Sequence, residues 1–202
     1  MKIGIELNGV LRDTLKKIQQ EYEKWYIENP FKEEEEDDFK YEVISELTSL
    51  DISKHLKFRD SNELYDFLYK EHTMEIFGHA GSVEPSGLLD FNDFYLDMRE
   101  EHDILIVSDE IGKSKPASLF FISKFGCLVE SVKFYSESTI NSLWDSVDVL
   151  LTANPNLLLN HPKDKVVIKF NTVYNKDIEF EHKISSLKEL KLKIQEILWY
   201  QC

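Results

Sequence analysis

The 202-residue chain is poor in cysteine, proline and glycine, with two, five and seven of each. Two cysteines, Cys127 and Cys202, cannot build a disulfide framework, and they fit a reducing compartment. Cys127 reads as a small buried hydrophobe. The scattered glycines form no phosphate-cradling loop, and no Gly-x-Ser-x-Gly elbow is present. Long apolar runs are also missing: none approaches the ~20 residues needed to cross a bilayer. The opening residues do not read as a secretory signal, because Glu6 and Asn8 interrupt the apolar stretch. The six histidines, His55, His72, His79, His102, His161 and His182, have no partner at metal-ligand spacing, so zinc is not expected. Together these absences predict a cytoplasmic protein.

Positive charge is scarce as well. Lys and Arg number 24 against 38 Asp and Glu, a net charge of −14. Such a chain is ill suited to nucleic acid, which is bound by cations that displace counterions from phosphates. It is equally ill suited to anionic membranes. The balance favours solubility, or docking onto a protein partner with a basic surface. The densest acidic run, residues 33–38, reads as a solvated loop, or more sharply as a handle for such a partner. The oligomeric state has no signal.

What the chain does have is a globular composition, 42% hydrophobic and 12% aromatic, and a regular alternation of elements. Residues 1–6 form a short apolar strand, followed by a polar turn at 6–9. A helix over 11–28 follows, with Leu11, Leu15, Ile18, Tyr22 and Trp25 on one face. Asn29-Pro30 ends it, because a residue before proline avoids the helical region. Residues 39–77 read as helical, with Asp60, Ser61 or Asn62 as N-cap. Beyond a loop marked by Gly78, Gly81, Pro85 and Gly87, helices at 88–101, 116–125 and 138–145 alternate with strands at 103–108, 132–135, 147–152 and 165–170. Ser186-Leu-Lys-Glu189 is a capping-box pattern that opens the last helix. This alternation predicts an α/β fold: a Rossmann-like, parallel, five-stranded sheet with helices on both faces. The core would comprise residues 1–28 and 82–202. Residues 29–81 would form a small helical, cap-like insert after the first strand, carrying the acidic loop 33–38. Sites in such sheets lie at the carboxyl ends of the strands, which places Glu6, Asn8, Ser108 and residues 152–154 together.

These segments resemble the haloacid dehalogenase (HAD)-like superfamily, and within it most closely the 5'(3')-deoxyribonucleotidase branch. Ile-Glu-Leu-Asn-Gly-Val-Leu-Arg-Asp13 is similar to the family's Asp-x-Asp-Gly-Val-Leu-x-Asp. Ile-Leu-Ile-Val-Ser108 resembles its second motif, a Ser or Thr that holds phosphate. Lys115, or Lys113, stands near the place of the third-motif lysine, and the segment Val147–Leu158 resembles the fourth motif. The resemblance implies phosphate binding by Ser108, Lys113 and Lys115.

The resemblance breaks at the chemistry. The family's nucleophilic Asp is Glu6 here, with its carboxylate one methylene further out, and a misplacement of about 1 Å can cost ~100-fold. The family's acid–base Asp is Asn8, whose amide has no proton to exchange near neutral pH. Loss of such a group typically costs ~10²–10⁴-fold. Thr152 and Ala153 stand where one or two acids would hold Mg²⁺, leaving Glu6 and Asp109 as weak metal candidates. No catalytic residue is therefore assigned beyond the degenerate positions Glu6 and Asn8, and no cofactor is expected. The leading expectation is a non-catalytic HAD-like protein, a pseudoenzyme, acting as a binding or structural subunit of a larger assembly, with a virus particle as one setting. One alternative is a Mg²⁺-dependent phosphatase or 5'-nucleotidase using Glu6, Asp109 and Lys115. The other is a regulatory domain that binds nucleotide or phosphate without turnover.

Overall fold

The computed structural model describes residues 1–29 and 39–201; the acidic run 33–38 and Cys202 lie outside the described residues. The first strand, β1 (Lys2–Glu6), leads into α1 (Thr14–Tyr22), whose N-terminus is capped by the Asp13 side chain accepting from the Lys16 N–H. A π-helical turn over Glu23–Ile27 continues α1, close to the span the apolar spacing predicts. Residues 39–60 are largely irregular, with one 3₁₀ turn at Ile52–Lys54. Helix α2 (Ser61–Asp66) follows, capped by Asp60, and it passes into π-helical turns at Phe67–Glu71 and Met74–Gly78. The expected helix over 39–77 is thus confined to its second half.

The regular alternation then appears as α3 (Gly87–Met98), β2 (Asp103–Asp109), α4 (Ser114–Lys124), β3 (Val132–Tyr135), α5 (Ile140–Trp144), β4 (Val149–Thr152), α6 (Pro155–Leu159), β5 (Val166–Phe170), β6 (Lys183–Ile184) and α7 (Leu190–Gln201). The capping box forms as the sequence predicts: Glu189 Oε1 accepts from the Ser186 N–H at 2.9 Å. The sheet has six parallel strands, not five, in the order β3-β2-β1-β4-β5-β6. The additional strand pairs Lys169 with Lys183 and Phe170 with Ile184 at one edge. Two residues carry no periodicity, so no sequence pattern announces it.

β1 is central, between β2 and β4, and its apolar residues explain why. Ile3 and Ile5 are fully buried and pair with Ile104 and Ile106 on one side and with Val149 and Leu151 on the other. The main core joins these strands to Phe91, Phe94 and Met98 of α3, Phe121 of α4, and Leu190, Ile194 and Ile197 of α7. Cys127 is half-buried against this core, and burial pushes its thiol up to about 11. A separate apolar cluster binds the insert to the rest: Leu56, Phe67, Leu68, Ile76 and Phe77 pack on Ile18 and Tyr22 of α1 and on Ala117 of α4. Aromatic contacts reinforce it, with Tyr26 stacked on Tyr41 at 4.4 Å. The result is a cleft between the carboxyl ends of β1, β2 and β4 and the underside of the insert.

Candidate functional site

The parallel register brings Glu6, Ser108 and Thr152 to one end of the sheet: Glu6 and Thr152 are the last residues of β1 and β4, and Ser108 is the last but one of β2. Gly9 allows the chain to turn sharply there. Its φ is +76°, and a Cβ at this position would lie 1.9 Å from the Tyr174 hydroxyl, so any side chain would be both strained and blocked.

Two polar clusters occupy this end. In the first, Glu6 is 2% exposed. Its Oε1 accepts from the Tyr135 hydroxyl at 2.9 Å; its Oε2 accepts from the Thr152 hydroxyl and from the Ala153 N–H at 3.2 Å. The Asn154 N–H donates in turn to the Thr152 hydroxyl at 2.9 Å. All the partners of Glu6 are neutral. Burial pushes its carboxyl up to about 7, outweighing the three donors, and nearby Asp109 adds to the rise. Asp109 itself is raised to about 6 by partial burial and by the charges of Glu110 and Glu137.

The second cluster is built on Arg12, which is fully buried. Its guanidinium pairs with Glu110 and donates to Asn8 Oδ1 at 2.6 Å, to Ser118 Oγ at 2.7 Å, to the Phe77 carbonyl at 2.7 Å and to Thr14 Oγ1 at 3.1 Å. It also lies against the rings of Phe77 and Phe121, at 5.2 and 5.5 Å. Asn8 Oδ1 takes a further bond from Thr14 Oγ1 at 2.6 Å, while Asn8 Nδ2 faces Ser108 Oγ at 3.3 Å and Glu110 Oε1 at 3.4 Å. Ser108, fully buried, donates to Glu110 Oε1 at 3.0 Å. The other oxygen of Glu110 is buried without a partner.

The structure therefore brings together Glu6, Asn8, Ser108 and Asp109. Glu6, Asn8 and Asp109 line a cavity of about 180 Å³ between strand ends and insert, while Ser108 lies beneath it, engaged with Asn8 and Glu110. Lys113, the residue before α4, and Lys115 in its first turn are exposed and do not line the cavity. The Lys115 ammonium lies 6.0 Å from the Phe134 ring. Arg12, and with it the pairing that holds Glu110, escaped sequence reasoning; Glu110 reads in the sequence only as a further carboxylate after Ser108. Arg12 occupies a variable position of the resembled motif, and its partner is 98 residues away. The one available signal was a charged residue directly after the apolar pair Val10-Leu11.

The Mg²⁺ chemistry implied by the resemblance does not fit these residues. Both oxygens of Glu6 are occupied by protein donors, and Thr152 and Ala153 bring no carboxylate. No group of three or more His, Cys, Asp or Glu able to hold a metal occurs among the described residues. No helix among them is long and apolar enough to cross a membrane.

No family model and no curated protein matches the sequence. Among solved structures the chain is similar to a protein from Burkholderia xenovorans LB400 whose assignment as a haloacid dehalogenase-like hydrolase is itself provisional. The TM-score is 0.57 at 12% identity, covering 98% of this chain and 97% of that one. The protein thus has a haloacid dehalogenase-like α/β fold over nearly its whole length. At this identity the likeness speaks for the fold alone.

Proposed function

We propose that this protein uses the haloacid dehalogenase-like fold for binding and does not carry out phosphoryl transfer. One observation carries the reading: at the strand ends, the two residues at the positions of the chemistry are committed to protein partners. Glu6 is held by Tyr135, Thr152 and Ala153, and Asn8 by Arg12 and Thr14. A nucleophile must present a free, charged oxygen to phosphorus, and a carboxyl raised to about 7 is largely neutral below that pH. The buried cation of the site is committed to Glu110, so it cannot clamp a transferring phosphoryl group. Fold alone does not supply an activity that its site lacks. The strongly acidic composition supports a partner with a basic surface. No observation supports placing the protein in a virus particle.

The second reading is a hydrolase, a phosphatase or 5'-nucleotidase of the same superfamily, and the structural likeness favours it over the first. The deoxyribonucleotidase branch belongs to this reading. Its specific support is a pair of acids with raised pKa, Glu6 and Asp109, in one cavity at the strand ends, the kind of perturbation that clusters at active sites. Incubation with p-nitrophenyl phosphate and a panel of deoxynucleoside monophosphates, with and without Mg²⁺, separates the two. The binding reading expects no release of phosphate above buffer. Turnover that vanishes in Glu6→Gln would establish the hydrolase instead.

A further inference from the structure

The cavity has a divided lining. Its outer wall is apolar and comes from α1 and the insert, through Leu15, Ile18, Leu50, Ile52, Leu68 and Phe77. Its floor is polar and comes from the strand ends and the turn after β1. The charged residues that line it among those described, Glu6, Asp13 and Asp109, are all acids; no described Lys or Arg lines it. Asp109 has no hydrogen-bond or ion-pair partner among the described residues, unlike Glu110 beside it. Two phenols, Tyr69 and Tyr174, also line it.

We infer that this cavity binds a small organic cation, an alkyl- or arylalkylammonium, with its apolar body against the insert and its ammonium toward Glu6 and Asp109. The inference rests on the binding reading above and gives that site a ligand class. An anion would meet three carboxyl-bearing residues and no compensating cation, so the site opposes the phosphate esters expected of the fold. A neutral apolar ligand would fill the wall but leave the acids of the floor without a counter-charge. A cation with an apolar body answers both halves: its charge neutralises the floor and its body fills the wall. Ligand pockets commonly combine such an apolar lining with a few polar groups that fix orientation. The raised carboxyls of Glu6 and Asp109 agree with a site whose acids lack a counter-charge.

The test is titration calorimetry of the purified protein with three isosteric probes at pH 8: hexylammonium, hexanol and hexyl phosphate. Hexylammonium is expected to bind at least tenfold more tightly than hexanol, to weaken as salt is raised, and to lose about tenfold in affinity in Asp109→Asn and again in Glu6→Gln. Asp109→Asn changes an accessible side chain without a partner, so its effect stands even where Glu6→Gln disturbs the fold. Equal affinity for hexanol and hexylammonium overturns the cation inference while leaving a non-catalytic binding cavity. Absence of hexylammonium binding overturns it as well. Hydrolysis of hexyl phosphate overturns the binding reading, and the inference with it.

Discussion

Glu6 and Glu110 are equally buried, at 2% exposed each, and they stand at the ends of neighbouring strands, yet they live in opposite surroundings. Glu110 faces a guanidinium and gathers Ser108, Ser118 and Asn8 around one oxygen. Glu6 has three donors, none of them charged, and faces a cavity. The difference teaches where structure ends and a site begins. A buried carboxylate with a matched cation knits elements together: here Arg12 joins the turn after β1 to the insert through the Phe77 carbonyl and to α4 through Ser118. A buried carboxyl without a cation keeps its proton to higher pH and stays available to whatever enters the cavity.

The contrast can be broken from either side. The largest effect is expected on the paired side. Arg12→Ala leaves Glu110 buried and uncompensated and should cost about 3–5 kcal/mol in urea unfolding. The double variant Arg12→Met, Glu110→Leu should recover most of that loss, because it removes both charges together. A double variant as unstable as the single one would show that the pair is not the source of the effect.

On the unpaired side the effect depends on pH. The Glu6 carboxyl sits at about 7 in the folded protein and at 4.5 when unexposed to the fold. Below 4.5 both states hold the proton and the group is neutral in its effect. Between 4.5 and 7 the folded state holds more protons than the unfolded one, so stability falls as pH rises through this window and levels off above it. Glu6→Gln cannot lose a proton. Its stability relative to the parent should therefore climb by on the order of 2–3 kcal/mol between pH 5 and pH 8, read as diverging melting temperatures. A difference that stays flat with pH would mean that Glu6 is not held neutral by its surroundings.

The smallest effect sharpens the comparison without overturning it. Tyr135→Phe removes one neutral donor from Glu6 and should cost about 1 kcal/mol at pH 8. It should also push the Glu6 carboxyl further up, because the lost donor favours the charged form, and an NMR titration of the side-chain carboxyl would register the shift.

Much of this architecture was legible from residues alone. β3 falls on 132–135 as the apolar run indicates, and β2 on the predicted strand with one residue added. The capping box opens a 3₁₀ turn, Leu187–Glu189, that leads directly into the last helix, and α2 is capped by Asp60, one of the three residues named for that role. These features are local, set by side-chain periodicity or by a hydrogen bond spanning three residues. The sixth strand was not legible, because two residues carry no pattern, and the insert was read as more helical than it is. Residues 39–60 hold their apolar side chains against Tyr22, Tyr26 and Phe67 without regular backbone bonding, a choice made by packing.

The candidate site divides in the same way. That Glu6, Asn8, Thr152 and Ala153 replace the acids of the resembled motifs is written in the chain, as are the surplus of acid and the turn that only Gly9 can make. The sequence by itself thus determined a parallel α/β sheet, though not its sixth strand, and which residue types stand at the strand ends. Only the tertiary structure decided which acids are paired. Arg12 meets Glu110 across 98 residues and Thr152 meets Glu6 across 146, through side chains that converge only once parallel strands are in register. Burial then turns that pairing into chemistry: in a medium that solvates charge poorly, the presence or absence of one guanidinium separates a carboxylate that holds the fold together from a carboxyl that lines a cavity.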